Sequence, residues 1–219
     1  MTHNRARTMR IGIIGAGHIG GTLTRRLRAL GHEVAVANSR GPETLAGLAA
    51  ETGAEAVTVE EAVRGRDLVV VTIPLFAVPS LPRGLFAGAG GAVIVDTGNY
   101  YPGRDGRIPE IEEGMTESGW VARQIGHPVV QAFNTIPAAM LMERGLPAGQ
   151  PGRIAIPVAG DDARARAVVL SLVEELGFDG VDAGPLAESW RQQPDTPVYG
   201  ANLGREATPR ALAEARPRG

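Results

Sequence analysis

The chain contains no cysteine and no lysine; all 22 of its basic residues are arginine. Without cysteine there is no disulfide frame, no thiolate nucleophile and no cysteine metal site. Without lysine there is no Schiff-base chemistry, no phosphate-gripping lysine and no lysine general base. A basic excess is missing too. The 22 arginines against 24 acidic residues leave a formal charge of -2, which excludes a general nucleic-acid binder and an anionic-membrane binder. No apolar run is long enough to span a bilayer: the longest, Leu68 to Leu81, is interrupted by Thr72, Pro74, Pro79 and Ser80. The four histidines, His3, His18, His32 and His127, lack metal-ligand spacing, so no metal site is expected. The polar start followed by Ile11 to Ile19 imitates a signal peptide, but three glycines interrupt that stretch and no small-residue cleavage site follows it. A cytoplasmic protein with a flexible tail over residues 1–9 is expected.

What is present suits one packed domain with an appendage. Of 219 residues, 43% are hydrophobic and 21% charged, enough apolar surface for a sizeable core. Short apolar runs alternate with helical patterns. Strands are predicted at Arg10 to Gly15, Val34 to Ala37, Val57 to Val59, Asp67 to Ile73, Ala92 to Val95, Val129 to Ala132, Ile154 to Val158 and Phe178 to Val181. Helices are predicted at Ile19 to Leu30, Pro42 to Thr52, Glu60 to Val63, after Pro74, up to Gln124, and from a cap at Asp161 or Asp162 to Leu176. The continuous apolar character of Asp67 to Ile73 is that of a strand covered on both faces. This order predicts an α/β fold with a doubly wound parallel sheet, its ligand lying at the carboxyl ends of the strands. A short C-terminal segment follows over residues 187–219, with one amphipathic turn at Leu212, as a lid, dimer contact or tail.

The strongest local signal is Gly15-Ala16-Gly17-His18-Ile19-Gly20. It follows an apolar strand and opens an amphipathic helix, the context in which this spacing binds a dinucleotide. Gly15 allows the tight turn, Gly17 the approach of a pyrophosphate, and Gly20 the packing of helix on strand. The helix N-terminus offers free N–H groups and a partial positive charge to phosphate. Residues 10–186 therefore read as a Rossmann nucleotide-binding domain. At the end of the second strand, where an acid would bind the 2′-hydroxyl of NAD, the chain has Asn38-Ser39-Arg40. Arg40 suits a 2′-phosphate, with Ser39 and Thr44 assisting, so NADP(H) is the expected cofactor. Thr72-Ile73-Pro74 ends the fourth strand at the same edge and would flank the nicotinamide ribose. Asp96 ends the fifth, as a catalytic acid or as a turn residue binding loop N–H groups.

Asn134, at the end of the sixth strand, is the candidate side chain facing an electron acceptor, because its amide both donates and accepts. Pro137 and Met140 would border the same acceptor, with Met140 as an apolar floor. Trp190 and Tyr199, in a proline-rich stretch, suggest a lid or a dimer contact; a homodimer is expected from base rates.

The chain resembles the NADPH-dependent deazaflavin (coenzyme F-420) reductases. The resemblance covers residues 10 to 189. It rests on Met9-Arg10, Gly31-His32-Glu33, Ser39-Arg40, Thr72-Ile73-Pro74, Asn134-Thr135-Ile136-Pro137-Ala138-Ala139, Gly160-Asp161-Asp162 and Asp182-Ala183-Gly184-Pro185-Leu186. It implies that Ala16 to Ile19 hold the pyrophosphate, that Ser39 and Arg40 hold the 2′-phosphate, and that Ile73 and Ala138 border the nicotinamide. Two features depart from the family: an asparagine, Asn134, stands where those reductases place a histidine against the deazaflavin, and Ser189 to Pro194 with Thr196 to Tyr199 replace the segment that shapes their deazaflavin pocket. Gln131 to Ile136 is similar instead to the cytosolic domain of the STEAP metalloreductases, which pass electrons from NADPH to flavin.

The resemblance implies an NADP-dependent oxidoreductase that moves hydride between NADPH and a small-molecule redox acceptor, a deazaflavin (coenzyme F-420) or FMN/FAD. Such transfer needs stacking and alignment more than acid–base groups. Two alternatives stay open: a non-catalytic NADP(H) sensor, and an imine or carbonyl reductase in which Asp96 or Tyr199 supplies a proton.

Overall fold

The computed structural model describes residues 8–217. Residues 1–7 of the expected tail, with His3, and residues 218–219 lie outside that range. Eight strands form one sheet: β1 (Arg10–Ile14), β2 (Glu33–Ala37), β3 (Glu55–Ala56), β4 (Leu68–Val71), β5 (Val93–Asp96), β6 (Val130–Gln131), β7 (Ala155–Gly160) and β8 (Asp179–Asp182), in spatial order β3-β2-β1-β4-β5-β6-β7-β8. The helices are α1 (His18–Ala29), α2 (Ala46–Thr52), α3 (Val59–Val63), α4 (Pro102–Asp105), α5 (Pro109–Glu112), α6 (Glu117–Ile125), α7 (Ala138–Glu143), α8 (Ala163–Glu175) and α9 (Ala207–Glu214). Tighter 3-10 turns occupy Pro42–Leu45, Leu75–Ser80, Leu85–Ala89 and Leu186–Gln192.

Alternation along the strands builds the two faces. Ile11, Ile13, Val34, Val36, Leu68 and Val70 point to one side, where Leu23 and Leu27 of α1 and Val169, Leu172 and Val173 of α8 cover them. Ile14, Ala35, Ala37, Val69, Val71 and Ile94 point to the other, under Val63 of α3 and Phe86. Each fully buried aliphatic side chain contributes roughly 1.5–3 kcal/mol, so the central strands are the most firmly held part of the molecule. Helix ends obey local chemistry. Thr58 and Glu61 form a reciprocal capping box at α3, Asp162 accepts from the N–H groups of Arg164 and Ala165 at α8, and Gly53 closes α2 in the left-handed conformation.

The structure corrects two expectations. The sheet is parallel from β3 to β6, but β7 runs antiparallel to β6 and parallel to β8. An apolar run marks a strand without giving its direction. The helix between β6 and β7, α7, packs against α1, where Arg26 donates to the Met142 carbonyl at 2.8 Å, and the chain re-enters the sheet reversed. Second, the single turn expected at Leu212 is the two-turn helix α9. Thr208, Ala211 and Leu212 form its buried stripe, continued by Ala215 just past its end, at the i, i+3, i+4, i+7 spacing of an amphipathic helix. Ala211 and Leu212 pack on Val198, with Val181, Ala183 and Leu203 around them. No helix among the described residues is long and apolar enough to cross a membrane.

Candidate functional site

The carboxyl edge of the parallel strands carries a cleft in two compartments that share Gly17, His18 and Ala138. The first, about 630 Å³, lies between α1, the loop after β2, and α7. The second, about 490 Å³, lies over the ends of β4, β5 and β6.

The glycine turn between β1 and α1 separates them. Gly15 has a φ of +105°, and a Cβ there would come within 2.7 Å of the Thr72 carbonyl oxygen. Gly20 is tighter: its Cβ would fall 1.9 Å from the Gly15 carbonyl oxygen. The Thr72 hydroxyl donates to that same carbonyl at 2.8 Å, and the Gly15 N–H donates to the Ala37 carbonyl at 2.8 Å. These contacts fix the turn. Gly17 differs, because a Cβ on it would meet nothing within 4 Å; the space above it faces the cleft. Helix α1 starts at Gly17 with no side-chain cap and no acidic residue in its first turn. Its leading N–H groups are thus available to an anion.

Arg40 and Thr44 line the first compartment with Ala16, Thr22, Arg25, Leu48 and Met142. The Arg40 side chain is exposed and makes no hydrogen bond or ion pair among the described residues. Asn38 organises the loop beneath it: its Oδ1 accepts from the Arg40 N–H at 2.8 Å and its Nδ2 donates to the Thr44 hydroxyl at 2.9 Å. Ser39 is exposed beside them. Arg25 is bound in a two-pronged pair with Glu51, at 2.6 and 2.7 Å. Arg40 is therefore the cation left available on this side. The residues fit a 2′-phosphorylated dinucleotide: an uncapped helix start for the pyrophosphate, open space over Gly17, and an uncommitted guanidinium one strand away.

In the second compartment Thr72, Ile73, Pro74, Asn134, Pro137 and Ala138 all line the cavity. Asn134 is 4% exposed, and its polar atoms are engaged. Nδ2 donates to Asn99 Oδ1 at 3.1 Å and to the Gln192 carbonyl at 2.7 Å, while Oδ1 accepts from Gln192 Nε2 at 3.1 Å. Both amide hydrogens are committed. The side chain clasps the C-terminal segment to the end of β6, with its surface towards the cavity, instead of offering a free donor. Met140 is 37% exposed and absent from both linings. On α7, Ala138 and Met142 share a face at i, i+4 and line the cleft, whereas Met140 points away from it. Asp96 is 2% exposed and does not reach the cavity. It accepts from the Gly98 N–H at 2.9 Å and from the Ser118 hydroxyl at 2.6 Å. Burial pushes its carboxyl up despite these bonds, and it serves as the turn residue after β5.

Residues with no sequence motif complete the second compartment. Tyr101 and Arg104 come from α4 and the residue before it, and Tyr199 and Gly200 from the C-terminal segment. The Tyr101 and Tyr199 hydroxyls are hydrogen-bonded to each other. The Arg104 guanidinium lies 4.8 Å from the Tyr101 ring centroid and donates to the Asn99 carbonyl at 2.7 Å. Burial would raise the Asp105 carboxyl, but Arg104 and the N–H groups of Tyr101 and Phe76 hold it below the usual range. The Gly200 N–H donates to the Thr135 carbonyl at 2.9 Å, a second stitch beside the Asn134–Gln192 clasp. Trp190 lies elsewhere, half-buried with Arg191 stacked 4.3 Å from its ring. His32 is buried and accepts from the Met9 N–H through Nδ1 at 3.2 Å, away from the cleft.

Residues 10–100 match the family described as NADP oxidoreductase, coenzyme F420-dependent. Among solved structures, the chain is similar to the hypothetical protein SMa0349 from Sinorhizobium meliloti, with 31% identity and a TM-score of 0.74 over 93% of this chain and 98% of that one. It is also similar to a protein from Arthrobacter sp. FB24 provisionally described as an F420-dependent NADP-reductase, with 25% identity and a TM-score of 0.64 over 83% of this chain and 86% of that one. The Escherichia coli (strain K12) protein YjhV is 56% identical over 54 residues, which make up 25% of this chain; the match spans 39% of YjhV.

Proposed function

The chain belongs to the coenzyme F420-dependent NADP oxidoreductase family, and from that premise we propose that it transfers hydride between NADP(H) and a flavin-like or deazaflavin acceptor. The observation that carries this reading is the two-compartment cleft: a 630 Å³ trough with Arg40 at one side runs over the glycine turn into a 490 Å³ cavity. Family membership places it among oxidoreductases, which argues against the sensor reading.

In this reading the backbone N–H groups at the start of α1 bind the pyrophosphate, with Ala16, Gly17, His18 and Ile19 around it. Arg40, with Ser39 and Thr44, binds the 2′-phosphate, and Asn38 holds the loop in shape. The reduced nicotinamide, when bound, supplies the hydride. Thr72, Ile73, Pro74 and Ala138 give it a largely apolar wall, and Pro137, Phe133 and Ile136 extend that wall toward the acceptor. Apolar surface orients a flat ring by stacking and excludes water, the two conditions direct transfer between rings needs. Asn134 acts by position: it holds Gln192, and through it the C-terminal wall, against the end of β6.

The test is rapid-mixing oxidation of NADPH by the full chain against deazaflavin, FMN, FAD and quinone. Acceptor-dependent loss of reduced-nicotinamide absorbance with deazaflavin or a flavin is expected. Saturable NADPH binding without oxidation by any of the four would contradict the proposal.

A further inference from the structure

Four ionisable side chains line the acceptor compartment: His18, Tyr101, Arg104 and Tyr199. His18 sits where the two compartments meet, beside the glycine turn. The three others form one group at the far wall, contributed by two parts of the chain 98 residues apart. In a pair of phenols one O–H is consumed by the mutual hydrogen bond and the other is left over. Tyr199 is half-buried, and its phenol is pushed well above the usual range, first by burial and then by Tyr101 and the charge of Glu117. Tyr199 therefore holds its proton more tightly than an ordinary phenol, which suits it to donate within the pair. With Tyr199 donating, the Tyr101 O–H is left for a molecule in the cavity. Tyr101 is 36% exposed, so water can return a proton to it. Arg104, fixed by the Asn99 carbonyl and Asp105, holds a positive charge over its ring.

Resting on the hydride-transfer reading, we propose that Tyr101 is the proton donor of the acceptor compartment, with Tyr199 and Arg104 as its positioning residues. The substrate class is an acceptor whose hydride-accepting carbon is bonded or conjugated to an oxygen or nitrogen, as in a deazaflavin, a carbonyl or an imine. The balance is complete. Hydride from the reduced nicotinamide forms the new C–H bond, and the π electrons of the acceptor move to its heteroatom. That heteroatom takes the proton from the Tyr101 hydroxyl. The phenolate left behind accepts the hydrogen bond from Tyr199, with the positive charge of Arg104 over its ring, until solvent reprotonates it. Other lining groups are engaged or stand elsewhere: Thr72 and Thr97 donate their hydroxyls to the Gly15 and Val71 carbonyls, both amide hydrogens of Asn134 are bound, and His18 lies at the nucleotide end, where the two compartments meet.

The test uses the full chain, Tyr101→Phe and Tyr199→Phe, substitutions that keep both rings and the stacking of Arg104. NADPH titration comes first, and dissociation constants within about twofold of each other are expected for all three. Turnover is then measured with a deazaflavin and 1-pyrroline as probes. On the probe reduced fastest, Tyr101→Phe lowers kcat by roughly 100-fold or more, the range of general acid catalysis, with KM changed less than about threefold. Tyr199→Phe lowers kcat by about tenfold with KM similarly unchanged. Binding of that probe without nucleotide, followed by calorimetry, weakens by about three- to tenfold in Tyr101→Phe, the loss of one hydrogen bond. A Tyr101→Phe variant that retains kcat within twofold overturns the proposal, and so does a wild-type chain that binds NADPH and reduces none of the probes. Failure of the wild type to bind NADPH at all would instead sink the hydride-transfer reading beneath it.

Discussion

The two compartments of the cleft are made in different ways. The phosphate-binding part of the nucleotide side is local: the glycine turn, the start of α1, Arg40 and Thr44 fall within residues 15–44, on one β-α-β unit and the short helix after it, and α7 closes the far wall. The acceptor side is assembled from Ile73, Arg104, Asn134 and Tyr199, on four separated stretches of chain, and is held by bonds spanning up to 98 residues. A local site is fixed as soon as its unit folds. A site made of distant pieces depends on the packing of everything between them, and it is the side on which relatives of one fold can diverge in substrate.

The largest expected effects break the local side. Gly20→Ala places a methyl group 1.9 Å from the Gly15 carbonyl oxygen, so the turn must shift. A stability loss of about 1–3 kcal/mol, as for overpacking, and an increase of roughly 100-fold or more in the NADPH dissociation constant are expected by thermal melting and fluorescence titration. Gly17→Ala sharpens the comparison, since its methyl group meets no protein atom within 4 Å. Stability should hold within about 0.5 kcal/mol while NADPH binding falls, because only the ligand occupies that space.

Next is Arg40→Ala. A charge-assisted hydrogen bond is worth about 1.5–3 kcal/mol, so NADPH affinity should fall about ten- to a hundredfold, with NADH affinity changed less than about twofold. Equal losses for both nucleotides would show that Arg40 does not face the 2′-phosphate.

On the acceptor side, Asn134→Ala removes the clasp to Gln192 and Asn99. It leaves buried partners unsatisfied, at a cost of about 1–3 kcal/mol, measurable by chemical denaturation. Turnover should fall while NADPH affinity changes less than about threefold. Loss of NADPH binding in this variant would erase the distinction between the two compartments. The smallest effect belongs to Met140→Ala. The side chain is 37% exposed and lines neither compartment, so stability within about 0.5 kcal/mol of wild type and unchanged acceptor kinetics are expected.

The same division explains what could be read from the chain alone. The run from Gly15 to Gly20 and Asn38-Ser39-Arg40 carry their geometry in consecutive residues, and the structure places Gly17, His18 and Arg40 at the cleft. Asn134 was recognisable by its place at a strand end, but its partner Gln192 lies 58 residues further on, beyond the reach of any local pattern. Tyr101 and Arg104 follow β5 with no spacing that marks them, and only the meeting with Tyr199 gives them a common location. Helix α9 escaped because its buried stripe is mostly threonine and alanine, which register weakly as an apolar face. The reversal of β7 depends on where α7 packs, information held in α1 and not in the strand itself.

The most direct measurement of the central claim is a calorimetric titration of the full chain with NADPH and with NADH under the same conditions. Saturable binding of NADPH, at least about tenfold tighter than NADH, is the predicted result. Absence of saturable binding, or equal affinity for the two nucleotides, would contradict the account.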